Sequence, residues 1–184
     1  MFKTRIPLQT PILIKLSLFA ALVTFFTGWS VSTEASIKES HLETKTVAMS
    51  QSGQKLSNLA QLTHQQVNEY RVASDLAPLE FSALVSEQAT IHSIEMAQNI
   101  VEFSHDGFEG RVQALKDNVS IGSVAENVAY NAGYQDPVST AVAGWIKSDG
   151  HRKNMEGNYN LTGIGVAVNP KGEHYFTQIF ILEN

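Results

Sequence analysis

The sequence predicts an α+β fold in which a helical layer comes first and an antiparallel sheet is completed late. Three observations carry this. Apolar residues recur at helical spacing through the middle of the chain, whereas its last part reads as two strands joined by Asn169-Pro170-Lys171-Gly172, a turn by composition. At 184 residues with 43% hydrophobic and 17% charged content, the chain can build one domain core and a modest flanking segment. No repeat or second linker interrupts that domain, and helices followed by a sheet make a layered α+β arrangement.

The elements follow in order. Lys3, Arg5 and Lys15 precede an uncharged apolar run, Leu16 to Ser32, and small residues stand at Thr33 and Ala35. This order is that of a secretory signal over residues 1–35, with an uncleaved membrane anchor as the alternative. Either way the rest of the chain is expected to be secreted, periplasmic or otherwise extracytoplasmic, touching membrane only through this segment. Residues 36–55 have few large apolar side chains and no firm period, so they read as a linker. The domain proper is expected over 56–184.

Within it, Ser57 is placed to cap a first helix carrying Leu59, Leu62, Val67 and Tyr70, ending before Leu76-Ala77-Pro78. A second helix is expected from about Ser82 to Asn99, and a short third from Phe108 to Leu115. Gly122 to Tyr130 reads as an irregular strand. Asp136-Pro137 opens a fourth helix with Val138, Val142 and Trp145 inward. The strands Leu161–Val168 and His174–Leu182 close the chain.

Composition excludes several functions. The absence of cysteine removes thiol chemistry, disulfides and cysteine metal sites. Beyond residue 35 there are 10 basic and 17 acidic residues, a net charge of −7, and Arg152-Lys153 is the only adjacent basic pair. That balance argues against nucleic acid as a partner.

Three polar clusters place an ionisable residue beside glycine, a turn or a helix end: Ser104-His105-Asp106-Gly107, Ala125-Glu126-Asn127, and Ser148-Asp149-Gly150-His151. A loop histidine such as His105 is more often a hydrogen-bonded strut than a ligand. Glu126 is more informative, because a carboxylate in a half-buried apolar strand must be paired, hydrogen-bonded or bound to a metal. His151 sits at the opening of a short helix, where the local potential favours the neutral imidazole that binds metals or acts as a base. Two histidines and a carboxylate are a familiar ligand set, but separations of 21 and 25 residues do not impose its geometry. Of the other histidines, His41 falls in the linker, His64 beside Gln65 and Gln66 reads as exposed, His92 as a satisfied core residue, and His174 as a candidate cleft edge.

Taken together, VNEYR (67–71), FSHDGF (103–108), AENVAYN (125–131), GWIKSDGHRKNM (144–155), TGIGVAV (162–168) and YFTQIF (175–180) resemble the CAP superfamily. That superfamily comprises cysteine-rich secretory proteins, antigen 5 and pathogenesis-related 1 proteins, and the lack of cysteine matches its bacterial branch. The resemblance implies an α-β-α sandwich with a central three-stranded antiparallel sheet and a surface cleft. It implies that His105, His151 and Glu126 occupy the family's cleft positions, where zinc or another divalent cation binds in some members. Ser148 stands where the family carries a second glutamate, so the four-residue set is incomplete. Asn127 and Gln178 match recurrent positions that line or brace the cleft. Three functions follow as expectations. The first is a binding module for a metal ion, small molecule, lipid, peptide or envelope component. The second is a metal-assisted hydrolase using His105, Glu126 and His151, and the third a non-catalytic structural domain.

Overall fold

A computed structural model describes residues 32–184; the export-signal reading falls largely on residues outside these. Among the described residues no helix is long and apolar enough to cross a membrane. Among them, too, five helices and four strands follow in the order α1 (Ser32–Ala73), β1 (Glu80–Phe81), α2 (Ala83–Ala97), α3 (Phe108–Leu115), β2 (Ile121–Asn131), α4 (Pro137–Lys147), α5 (Asp149–Glu156), β3 (Leu161–Val168) and β4 (His174–Glu183).

The strands form one sheet in the order β1-β3-β4-β2, antiparallel except for β1 against β3. The sheet therefore has four strands, one more than the resemblance implies. The addition is a two-residue strand, Glu80–Phe81, pairing Leu161–Thr162. Two residues are too few for a period-two pattern to show.

Period-two alternation sorts the sheet's side chains onto its two faces. On one face Phe176 and Phe180 of β4 and Ile164 and Val166 of β3 pack with Val67 of α1, Val142 and Trp145 of α4, and Met155 of α5. On the other face Ile179 and Ile181 meet Val85 and Ala89 of α2 and Leu115 of α3. The result is the expected α-β-α sandwich.

Helix α1 covers Ser32–Ala73 and so runs through Ser57 instead of being capped there. Residues 41–55 are exposed along it, so no apolar stripe was available to reveal the helix. Its composition of Glu, Lys, Gln, Ala and Ser is compatible with helix, with Gly53 the only glycine and no proline. Ser148 occupies the N-cap position of α5, and its extended backbone (φ −90°, ψ 120°) separates α4 from α5.

Close helix-to-sheet approach is made possible by two glycines on β3. A Cβ on Gly165 would lie 2.1 Å from the Thr90 nitrogen and 2.2 Å from the Ala89 carbonyl carbon of α2, and one on Gly163 2.2 Å from the Ser86 nitrogen. Backbone cannot swing aside as a side-chain tip can. Gly165→Ala is therefore expected to cost ~3 kcal/mol or more of stability in urea unfolding; a change below ~1 kcal/mol would show that α2 is free to shift outward.

Candidate functional site

The three polar clusters converge beside β2. His105 lies in the loop between α2 and α3. His92, fully buried on α2, holds that loop with Nε2 2.9 Å from the Ser104 carbonyl, while its Nδ1 has no hydrogen-bond partner among the described residues, so the ring is in the core as expected but only half satisfied. Gly107 (φ 77°) turns the chain into α3. Glu126 projects from β2 towards the α2–α3 layer, since its cross-strand partner is Ile179.

Glu126 is 5% exposed and its charge is balanced by Arg111 of α3, itself 7% exposed. Arg111 donates from Nε to Oε2 at 2.9 Å and from Nη2 to Oε1 at 2.8 Å, a two-pronged pairing. Its Nη1 also donates to the Asp106 carbonyl at 2.9 Å, tying the loop to the pair. His105 Nδ1 lies 2.9 Å from Glu126 Oε1. A carboxylate only accepts, so Nδ1 carries a proton, and in the neutral ring Nε2 is the acceptor. The His105 side chain is 51% exposed, so this ring is buried on one edge and open on the other.

His151 faces His105 across the cleft, with ring centroids 6.4 Å apart and planes tilted by 46°. Burial, and secondarily the neighbouring His105, hold its pKa below the ordinary 6.5. Its helix is clamped to β2 by two asparagines. Asn127 Nδ2 donates to the His151 carbonyl at 3.0 Å, and Asn154 Nδ2 donates to Asn127 Oδ1 at 2.9 Å and to the Glu126 carbonyl at 3.1 Å.

The remaining expected site residues divide. Asn127 is fully buried and acts as a brace rather than a lining group. Gln178 is also fully buried; its Nε2 donates to Thr162 Oγ1 at 3.1 Å, and it sits behind the cleft. Ser148 is half-buried and lines a pocket of ≈ 260 Å³ with His151. Asp149 points away, paired with Arg152 at 2.7 Å. His64 is not an exposed residue: it is half-buried, 2.9 Å from the Leu79 carbonyl and edge-on to Phe81.

Sequence reasoning missed Arg111 and Asn154. No sequence signal marked Arg111: it stands four residues before the buried Leu115 on α3, but an eight-residue helix does not show by sequence which side its arginine faces.

These placements fit a three-ligand metal site poorly. Both Glu126 oxygens already accept from a guanidinium 2.8–2.9 Å away, a cation that opposes a second cation at the same carboxylate. Among the described residues no group of three or more histidines and carboxylates is arranged to hold an ion.

The family model for the cysteine-rich secretory protein family, CAP, matches residues 64–180, the span that holds the whole cluster. The chain belongs to the CAP family. A curated relative, the uncharacterized membrane protein YlbC of Bacillus subtilis (strain 168), is 40% identical over 119 residues, which are 62% of this chain and 32% of that protein. This CAP chain thus spans about a third of that relative. Among solved structures, an extracellular protein containing an SCP domain from Bacillus anthracis str. Ames matches with TM-score 0.55 and 29% identity over 68% of this chain and 41% of that one. A cysteine-rich secretory protein from Staphylococcus aureus gives 0.54 and 25% over 68% and 39%. An outer surface protein of Borrelia burgdorferi, at 0.60 and 16% over 69% and 94%, shares the fold.

The lowered pKa of His151 gives a pH prediction with a definite sign. Above pH 6.5 the ring is neutral in folded and unfolded chains alike. As pH falls through that value the unfolded chain takes up the proton first, so stability falls until the folded pKa is passed. In an NMR titration the His151 midpoint is expected below 6.5 and, in His105→Ala, closer to it; a midpoint unmoved by His105→Ala would remove the electrostatic link between the rings.

Proposed function

We propose that this CAP domain is an extracytoplasmic binding module and that the cleft between the His105 loop, β2 and α5 is its ligand site. One observation carries the reading: a half-exposed imidazole is oriented by a buried, charge-balanced carboxylate and faces a second imidazole whose pKa burial lowers. Burying an ion pair costs desolvation energy, which apolar side chains of similar volume would not incur. A fold that needed only a packed core would gain nothing from presenting two such rings to solvent. The export-signal pattern of residues 1–35 supports a location outside the cytoplasm, as does the likeness to the extracellular B. anthracis protein and the S. aureus cysteine-rich secretory protein.

A second reading has one specific observation in its favour. The Glu126–His105 contact fixes the tautomer in which Nε2 accepts a proton, the arrangement a general base requires. In that reading His105 activates water for hydrolysis without a metal ion, and His151 donates or accepts the second hydrogen bond to the substrate.

Histidine NMR signals of the intact chain, recorded with dodecanoate, tetra-alanine and an N-acetylglucosamine trimer in turn, test both readings. The binding reading expects at least one probe to move the His105 and His151 signals saturably, and silence from all three at millimolar concentration would contradict it. Turnover of a probe that Glu126→Gln abolishes would replace it with the hydrolytic reading.

A further inference from the structure

On β2 the side chains of Glu126, Val128 and Tyr130 alternate onto the face of the sheet that carries α2, where Val128 packs with Met96 and Ala97. Beyond the end of α2 that face carries an aromatic pair open to solvent. Tyr130 is 45% exposed, and Phe103 of the α2–α3 loop, 51% exposed, lies beside it. Their ring centroids are 6.2 Å apart and their planes tilted by 56°, so the two rings form a corner.

Both rings are held from behind. The buried Tyr175 backs Tyr130 at 5.1 Å, and the Tyr130 hydroxyl donates to Glu173 Oε1 at 3.0 Å. Phe103 belongs to the loop that His92 pins through the Ser104 carbonyl and Arg111 through the Asp106 carbonyl. A ligand meets a surface already arranged, with little ordering left to lose.

The surroundings are acidic. Glu102 is exposed next to Phe103, and Asp106 is exposed on the same loop. Hydrogen bonds from Asn169 and then from Tyr130 hold the Glu173 carboxyl below its ordinary range, with Lys171 contributing less, so Glu173 is ionised at neutral pH. Beyond residue 35 the net charge is −7, and the face of each aromatic ring is itself negative. This charge repels an anionic ligand and attracts a cation.

The hydrogen bonding decides which kind of cation. Each oxygen of Glu173 already accepts, Oε1 from Tyr130 and Oε2 from Asn169 Nδ2. A primary ammonium or a guanidinium brings N–H groups that need acceptors of their own. A quaternary ammonium brings none, and needs only negative potential and apolar contact.

We infer that the Phe103–Tyr130 corner, with Glu173 at its edge, binds a small quaternary ammonium compound of the choline type. Its N-methyl groups pack on the two ring faces. The site is separate from the His105–His151 cleft, and neither assignment depends on the other.

NMR titration of the intact chain with choline chloride at constant ionic strength tests the inference. Saturable shifts of the Phe103 and Tyr130 ring signals are expected at millimolar choline, with affinity lowered roughly fivefold or more by Phe103→Ala and by Glu173→Gln. Dimethylbutanol, the neutral carbon analogue of choline, is expected to bind weaker than choline by a similar factor. Phe103 is half-exposed, and the melting temperature of Phe103→Ala is read alongside. Equal binding of the neutral analogue, or unchanged choline binding by a folded Phe103→Ala, would overturn the inference. So would the absence of any saturable shift. Tighter binding of methylammonium than of choline would replace the quaternary ligand with a primary amine. Binding confined to phosphatidylcholine vesicles would replace the free compound with a membrane surface.

Discussion

The pairing of Arg111 with Glu126 is the interaction on which the rest of the site depends. A carboxylate 5% exposed on the inner strand face must be neutralised, and the guanidinium does so with two parallel hydrogen bonds. The same guanidinium reaches back to the Asp106 carbonyl. One buried cation thus fixes a strand, a helix and the loop that carries His105. His105 then takes its tautomer from the oxygen that Arg111 has already oriented, and its open edge looks across the cleft to His151. The arrangement also decides what the cleft is not suited to, since a carboxylate saturated by guanidinium has little left to offer an ion.

A second buried arginine fixes the other wall by a different route. Arg71, 2% exposed near the end of α1, donates to backbone rather than to a carboxylate, reaching the carbonyls of Ala77, Met155, Gly157 and Tyr159 at 2.6–3.3 Å. Burial pushes its pKa below the ordinary value for a guanidinium. It gathers the C-terminal end of α5, while Asn127 and Asn154 clamp that helix to β2. His151 therefore stands on a helix held along its length. The paired glycines of β3 do the corresponding work on the opposite face, letting α2 lie close enough for His92 to pin the His105 loop.

Much of this was legible in the amino-acid sequence, and the exceptions have physical reasons. The α2, α3, α4, β3 and β4 spans could be read because caps, prolines and apolar periods mark them locally. Half of α1 could not, since an exposed polar helix leaves no stripe, and β1 is too short to show any period. Glu126 announced itself as a carboxylate needing a partner, but the partner was invisible because nothing in sequence distinguishes an inward arginine from an outward one on an eight-residue helix. Asn127 and Gln178 matched recurrent positions, yet only packing shows that both are buried braces.

The central claim is that Glu126 is committed to Arg111, and urea unfolding of Arg111→Met and of Arg111→Met/Glu126→Leu tests it most directly. Leaving a buried carboxylate without its cation is expected to cost ~3–5 kcal/mol, and removing the carboxylate as well is expected to restore most of that loss, because no uncompensated charge remains. An Arg111→Met variant within ~1 kcal/mol of the parent, with no recovery in the double variant, would show that Glu126 draws its compensation from elsewhere and would contradict the account.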